Sequence, residues 1–172
     1  MAAEATPEAG FADGDGDFAR FDGPSGLAAA EDGTLFVADT NNHLVSSSTG
    51  CSLVRPKHSR MFSSLGLGAA GGLGFVLRFN YPADVSLGTN GTLFVADLHS
   101  LRRISMPENP TTVLGVGFDG RVTTAAGDAE PGEADGTGPE ARFSRPSGVA
   151  STADGAAYLS DAASCRLRRV AP

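Results

Sequence analysis

The chain is short of the residues that anchor membrane, nucleic-acid and disulfide chemistry. It has no tryptophan and two tyrosines, and aromatics make up 7% of its 172 residues. Thirteen Lys and Arg stand against 20 Asp and Glu, a formal net charge of −7. Phosphate recognition depends on neutralising phosphates with cations, so nucleic acid is a disfavoured partner. Two cysteines, Cys51 and Cys165, are too few for a disulfide framework and lack the paired spacing of a zinc site. No run approaches the roughly 20 apolar residues of a spanning helix, because the most apolar stretch, Met61 to Phe79, is interrupted by Gly, Ala and Ser. Met1 to Glu8 carries neither the basic nor the apolar region of a secretory leader. A soluble protein, cytoplasmic by default, is the expectation.

What the chain has in quantity is glycine, 23 residues, and proline, 10. Glycine supplies positive φ and proline fixes φ in turns, so many short elements joined by turns are expected. The order behind that composition is a repeat. Phe21-Asp-Gly-Pro24-Ser-Gly-Leu27 runs through Asp32-Gly33 to Leu35-Phe-Val-Ala-Asp39. Phe79-Asn-Tyr-Pro82-Ala-Asp-Val85 runs through Asn90-Gly91 to Leu93-Phe-Val-Ala-Asp97. Phe143-Ser-Arg-Pro146-Ser-Gly-Val149 runs through Asp154-Gly155 to Ala157-Tyr-Leu-Ser-Asp161. The copies stay in register without gaps, so one set of turns and one apolar alternation are specified three times.

Asp-Gly and Asn-Gly are preferred in tight hairpins whose two central residues both need positive φ. Each copy therefore predicts a first strand beginning after the proline, around Leu27, Val85 and Val149. A second strand follows at Leu35–Asp39, Leu93–Asp97 and Ala157–Asp161, and a third is clearest at Leu101–Ile104 and Leu167–Val170. A fourth strand ending at glycine is predicted at Arg60–Gly66 and Arg121–Gly127. Ahead of each copy runs an equivalent loop: Ala12 to Arg20, Ala70 to Arg78 and Ala134 to Arg142.

These residues resemble the NHL repeat family, whose blade reads roughly Phe-x-x-Pro-x-Gly-Val-Ala, Asp-Gly, Leu-Tyr-Val-Ala-Asp, Asn-His-Arg-Ile, then a strand ending in Ala-Gly. Asn41-Asn42-His43 matches the Asn-His element in full; Leu98-His99-Ser100 is two residues short, and Ala163-Ser164-Cys165 replaces it. The resemblance implies an all-β fold, a partial six-bladed, TolB-like β-propeller of about three antiparallel blades at 21–68, 79–127 and 143–172, the last incomplete. Residues 1–20 are read as an acidic inter-blade loop preceding a propeller segment over 21–172. The chain is thus expected to be a fragment of a larger propeller or a self-assembling half-ring.

The positions repeated in every blade, Pro24, Gly33, Asp39, Pro82, Gly91, Asp97, Pro146, Gly155 and Asp161, are read with Asn42 and His43 as structural. A catalytic acid needs an environment unlike its neighbours', whereas an aspartate used in every blade suits a backbone-accepting turn. Asp13-Gly-Asp15-Gly-Asp17 fails the EF-hand pattern, with Phe18 and Pro24 at its sixth and twelfth positions. Gly66-Leu-Gly68-Ala-Ala-Gly71 spells the dinucleotide fingerprint but leaves no room for the helix that fingerprint needs. Arg55 to Arg60 reads as a solvated loop. Arg102-Arg103 and Arg168-Arg169 read as a solvated face or as partners of acids, and Asn90-Gly-Thr92, a formal glycosylation sequon, as a hairpin turn. The innermost strands offer no His, Asp or Glu, with Glu31 and Asp84 at their ends. No catalytic, cofactor or metal residue is assigned.

Two functions follow. The first is a non-catalytic scaffold for protein or peptide binding, able also to self-associate through open propeller edges. The alternative is an enzyme resembling gluconolactonase-like hydrolases or peptide-amidating lyases, with a metal at the axis.

Overall fold

The computed structural model describes residues 8–12, 19–49, 58–62, 79–105 and 121–172. The chain is all-β. Among the described residues the only helical elements are two three-residue 3-10 turns, Thr89–Gly91 and Gly138–Glu140. Two compact units divide it, Met1–Tyr81 and Pro82–Pro172.

The first unit holds one four-stranded antiparallel sheet in simple sequence order, β1 (Pro24–Ala29), β2 (Leu35–Asp39), β3 (Leu44–Thr49) and β4 (His58–Phe62). The second holds a sheet of the same order, β5 (Asp84–Leu87), β6 (Leu93–Asp97), β7 (Ser100–Ser105) and β8 (Arg121–Gly127). It also holds a three-stranded sheet, β9 (Pro146–Ser151), β10 (Ala157–Asp161) and β11 (Arg166–Val170). Sequential antiparallel meanders of this kind are propeller blades, and the chain is a partial β-propeller.

The second strands have the expected bounds, and β8 does too. Three expectations need correcting. The first strands of the outer repeats start at the proline itself, and a register shift after Pro24 and Pro146 bulges out Ser25 and Ser147. Each bulged serine hydroxyl bonds a side chain across the strand, Ser25 to Thr40 at 2.6 Å and Ser147 to Ser160 at 3.1 Å. The fourth strand of the first blade occupies His58–Phe62, two residues earlier than Arg60–Gly66, of which 63–66 lie outside the described residues.

The hairpin turns are also of another type. Only the glycines are left-handed, Gly33 at φ 83° and Gly155 at 86°; Asp32 and Asp154 are not. Gly33 donates to Ala30 O and Ala30 to Thr34 O, and Gly155 and Thr152 repeat the pair with Thr152 and Ala156. This is a three-residue loop closed by a left-handed glycine. The aspartate is used for its carboxylate: Asp32 Oδ1 accepts the Thr34 N–H at 2.9 Å. Gly91, φ 68°, closes a different connection, the 3-10 turn that includes Asn90.

The core of the second unit lies between its two sheets. Phe94, Ala96, Leu101 and Ala126 from β6–β8 pack with Val149, Ala157 and Leu159 from β9 and β10, joined by Ala141 and Phe143. Burying each large apolar side chain there stabilises by about 1.5–3 kcal/mol, which makes this joint the main source of cohesion in the unit. At the inner end the two first strands are tied through polar atoms. Asp84 Oδ2 accepts the Val149 N–H at 2.9 Å, Ser86 Oγ accepts the Ser151 N–H at 2.9 Å, and Ser151 Oγ donates to Leu87 O at 2.9 Å. Asp84, expected at the strand end, is therefore the first residue of β5, its carboxylate occupied by backbone.

Candidate functional site

The repeated aspartates are buried, Asp39 and Asp97 almost wholly and Asp161 completely. At the end of β2, Asp39 Oδ1 accepts the Asp22 N–H at 2.7 Å; at the end of β10, Asp161 Oδ1 accepts the Ser144 N–H at 2.7 Å. Each thereby clamps the Phe-x-x-Pro segment onto its own sheet. Clamping matters because the residue before each proline is left-handed, with Gly23 at φ 60°, Tyr81 at 52° and Arg145 at 59°. For Tyr81 and Arg145 that conformation is strained, so the surrounding bonds must hold it.

The second carboxylate oxygen distinguishes the copies. In the first blade Asn42 Nδ2 donates both to Asp39 Oδ2 and to Gly10 O, at 2.8 Å each, tying the incoming loop to the strand end. Burial raises the Asp39 pKa, partly offset by the hydrogen bonds from Asn42 and Asp22. Beside it His43, at φ 59°, stacks edge-on against Tyr81, with centroids 4.3 Å apart, and its Nδ1 accepts the Tyr81 N–H at 3.2 Å. Cys165 takes the same left-handed position in the third blade, at φ 55°, and is exposed and unpaired.

In the third blade Ser164 stands where Asn42 does and bonds Asp161 O instead. Asp161 Oδ2 has no hydrogen bond and faces Arg168 Nη1 at 3.8 Å. Arg168 is the hub of this end. Nη1 donates to Arg142 O at 3.0 Å, and Nη2 donates to Ala134 O at 2.9 Å and Asp135 Oδ1 at 2.6 Å; the guanidinium lies 5.1 Å from the Phe143 ring centre. Arg168 is thus buried and Arg169 exposed, and both meet acids, Arg168 at Asp135 and Asp161 and Arg169 at Asp154 at 3.7 Å, so of the two readings of that dipeptide, a solvated face or partners of acids, the structure shows the second.

The incoming loops are alike, as their alignment implied. Arg20 N–H bonds Ala12 O and Arg142 N–H bonds Ala134 O, both at 3.0 Å, while Gly10 and Gly132 bond Phe21 O and Phe143 O.

Within the Pro82–Pro172 unit an open cleft of about 1050 Å³ lies along β11. Arg103, Arg166, Arg168 and Arg169 line it, with Thr89, Thr92, Thr124 and Thr137 hydroxyls and an apolar floor that includes Phe94 and Phe143. Arg166 pairs with Glu133 at 3.0 Å. Arg103 is exposed and has no ion pair among the described residues. Among the described residues the lining contains no His, Cys or Ser, and no three His, Cys, Asp or Glu are grouped to hold a metal. Asp97 meets Arg102 at 3.8 Å, so Asp97 and Asp161, the two repeated aspartates of this unit, each answer an arginine of their own sheet. The Asp13–Asp17 run, the Gly66–Gly71 run, Cys51 and residues 55–57 lie outside the described residues.

The sequence left Arg103 and Arg168 alike, each on a solvated face or paired with acids, because a double arginine does not show which of its two residues faces inward. The available signal was register: Arg168 is the cross-strand partner of Leu159, an inward residue, so Arg168 shares its face.

Residues 21–46 match the family model of the NHL repeat. No curated protein matches the chain. Among solved structures, a protein of unknown function from Bacteroides thetaiotaomicron superposes with a TM-score of 0.65 at 21% identity, over 86% of this chain and 34% of that one. An auxiliary nutrient binding protein from the same organism gives 0.61 at 19% identity, over 83% and 36%. The chain thus spans about a third of the length of each. These likenesses establish the fold.

Proposed function

We propose that this NHL-repeat chain, a partial propeller, is a non-catalytic scaffold that binds protein or peptide, and that the cleft along β11 receives an extended segment bearing a carboxylate. The observation that carries the reading is the cleft itself: an open trough with apolar side chains in its floor, lined by hydroxyls, with Arg103 exposed and without an ion pair among the described residues. A carboxylate bound by a free guanidinium gains charge-assisted hydrogen bonds, and an extended backbone can pair with the outer edge of β11. One structure sharing the fold is itself a nutrient-binding protein.

The test is a display selection of random peptides on the full chain, followed by titration of the enriched peptides against Arg103→Ser. Enrichment of acidic peptides whose affinity falls about tenfold in the variant supports the proposal. Enrichment of neutral or basic sequences, or affinity indifferent to Arg103, overturns the cleft as the site.

A further inference from the structure

The joint between the two sheets of the second unit provides a template for reading the chain's uncovered faces. On its β6–β7 side Phe94, Ala96 and Leu101 are 8%, 0% and 0% exposed, because Val149, Ala157 and Leu159 pack against them. The repeat gives each of these positions a counterpart. Register matches Ala96 with Leu101 and Ser160 with Leu167, so Tyr158, Ser160 and Leu167 of the third blade stand where Phe94, Ala96 and Leu101 stand in the second. There the surface is open: Tyr158 is 43% and Leu167 82% exposed.

The other half of the template is open as well. Leu27 pairs with Val37 as Val149 pairs with Leu159, which makes Leu27, Leu35 and Val37 of the first blade the counterparts of Val149, Ala157 and Leu159. Leu27 is 60% exposed, and Leu35 and Val37 are half-buried. The chain therefore displays both halves of a joint that it also makes internally.

We propose that the Tyr158–Leu167 face of one copy docks on the Leu27–Val37 face of a second copy, blade against blade. The inference rests on the scaffold reading only in taking a protein as partner; of its residues Leu167 also lines the Arg103 cleft, whereas Tyr158, Leu27, Leu35 and Val37 do not, so Leu27→Asp tests it apart from the cleft. The chemistry also sets its strength. In the internal joint Asp84 and Ser86 accept N–H groups of the next blade; their counterparts in the third blade are Gly148 and Ala150, which have no acceptor. The joint between copies keeps the apolar contact and lacks these polar ties, so association is reversible and concentration-dependent.

Sedimentation velocity of the full chain over a wide concentration range tests this. The wild type is expected to shift from monomer to oligomer as concentration rises. Leu167→Asp and Leu27→Asp should each weaken association at least about tenfold, since each puts a charge where a leucine is buried. Both leucines are exposed in the single chain, so circular dichroism and thermal melting should be unchanged. Mixing the two variants restores one intact joint and should give a dimer that neither forms alone. Ala150→Ser, which restores one acceptor, should tighten association about threefold. A wild type that stays monomeric overturns the proposal. So does association that survives Leu167→Asp, or a mixture of the two variants that remains monomeric. Peptide binding lost in Arg103→Ser while association persists would leave this proposal standing.

Discussion

Replacing Arg168 by alanine should be the most damaging single truncation of a charged residue in the Pro82–Pro172 unit. Its side chain is 9% exposed and donates to two backbone carbonyls, Arg142 O and Ala134 O, and to Asp135. The Asp135 carboxylate is 95% exposed, so that contact adds at most about 1 kcal/mol despite its 2.6 Å length. The main cost lies elsewhere. Asp161 is fully buried, its Oδ2 has no hydrogen bond, and Arg168 is the cation facing it. Removing one partner of a buried pair costs about 3–5 kcal/mol, and the freed carbonyls are partly rehydrated in the space left behind, so about 4 kcal/mol is expected. Arg102 provides an internal comparison. It occupies the equivalent strand position opposite Val95, is 19% exposed, and meets Asp97 at 3.8 Å. Arg102→Ala should cost about 1–2 kcal/mol, and Arg103→Ala, at an exposed site, under about 0.5 kcal/mol. Asp161→Asn keeps the acceptor for the Ser144 N–H while removing the charge, so the double variant Arg168→Ala/Asp161→Asn should recover about 1–2 kcal/mol. Urea unfolding followed by far-UV circular dichroism, with amide exchange in the second unit, gives these values. An Arg168→Ala cost no larger than that of Arg102→Ala would refute the hub.

Two glycines on the same scaffold should respond very differently to alanine. At Gly127, φ 93°, a Cβ would lie 2.6 Å from His99 O and 2.8 Å from Phe143, whereas at Gly33, φ 83°, it meets nothing within 4 Å. Gly127→Ala should cost more than about 3 kcal/mol and Gly33→Ala about 1–2 kcal/mol, read as shifts in urea midpoint. Arg145 is exposed and left-handed, so Arg145→Gly should be neutral to stabilising by about 1 kcal/mol once the entropy of the unfolded glycine is subtracted; a loss above that would show that its side chain is needed. Two aspartates should leave opposite marks on the acid limb. The Thr34 backbone N–H lowers the Asp32 pKa, so its contribution is present above the unfolded value of about 3.9 and is lost as pH falls through the lower folded value; the gap between wild type and Asp32→Ala should narrow as pH falls below the unfolded value. Burial raises Asp39, so its ionised form costs stability at neutral pH and protonation relieves that cost. Asp39→Asn should therefore compare more favourably with wild type at pH 7 than at pH 4.

The strands were legible in the sequence because each is written three times. Leu35–Asp39 alone is a short apolar run, but three ungapped copies fix its bounds and its turn. What was not legible depended on contacts between repeats. The role of Asp84 comes from its reach to Val149 in the next sheet, and a residue read within its own repeat shows only a departure from glycine. Arg168 was hidden for a related reason: the atoms that hold it belong to Arg142, Ala134 and Asp135, some 30 residues away, in a loop whose composition looks solvated. The turn type was misread because Asp-Gly serves both two-residue hairpins and the three-residue loop found here, and the choice depends on whether aspartate supplies a left-handed backbone or, as at Asp32, a carboxylate acceptor.

The central claim is that each repeat is one blade and that the two blades of the Pro82–Pro172 unit meet through their first strands, β5 and β9. Amide hydrogen exchange at Val149 and Ser151, measured by nuclear magnetic resonance, tests it most directly. Both belong to β9, a terminal strand of its own sheet, and their N–H groups are covered only through Asp84 and Ser86 of the preceding blade. The account predicts slow exchange at both, with Asp84→Ala releasing Val149 and Ser86→Ala releasing Ser151. Rapid exchange of both amides in the wild type, at the rate of an uncovered edge strand, would contradict it.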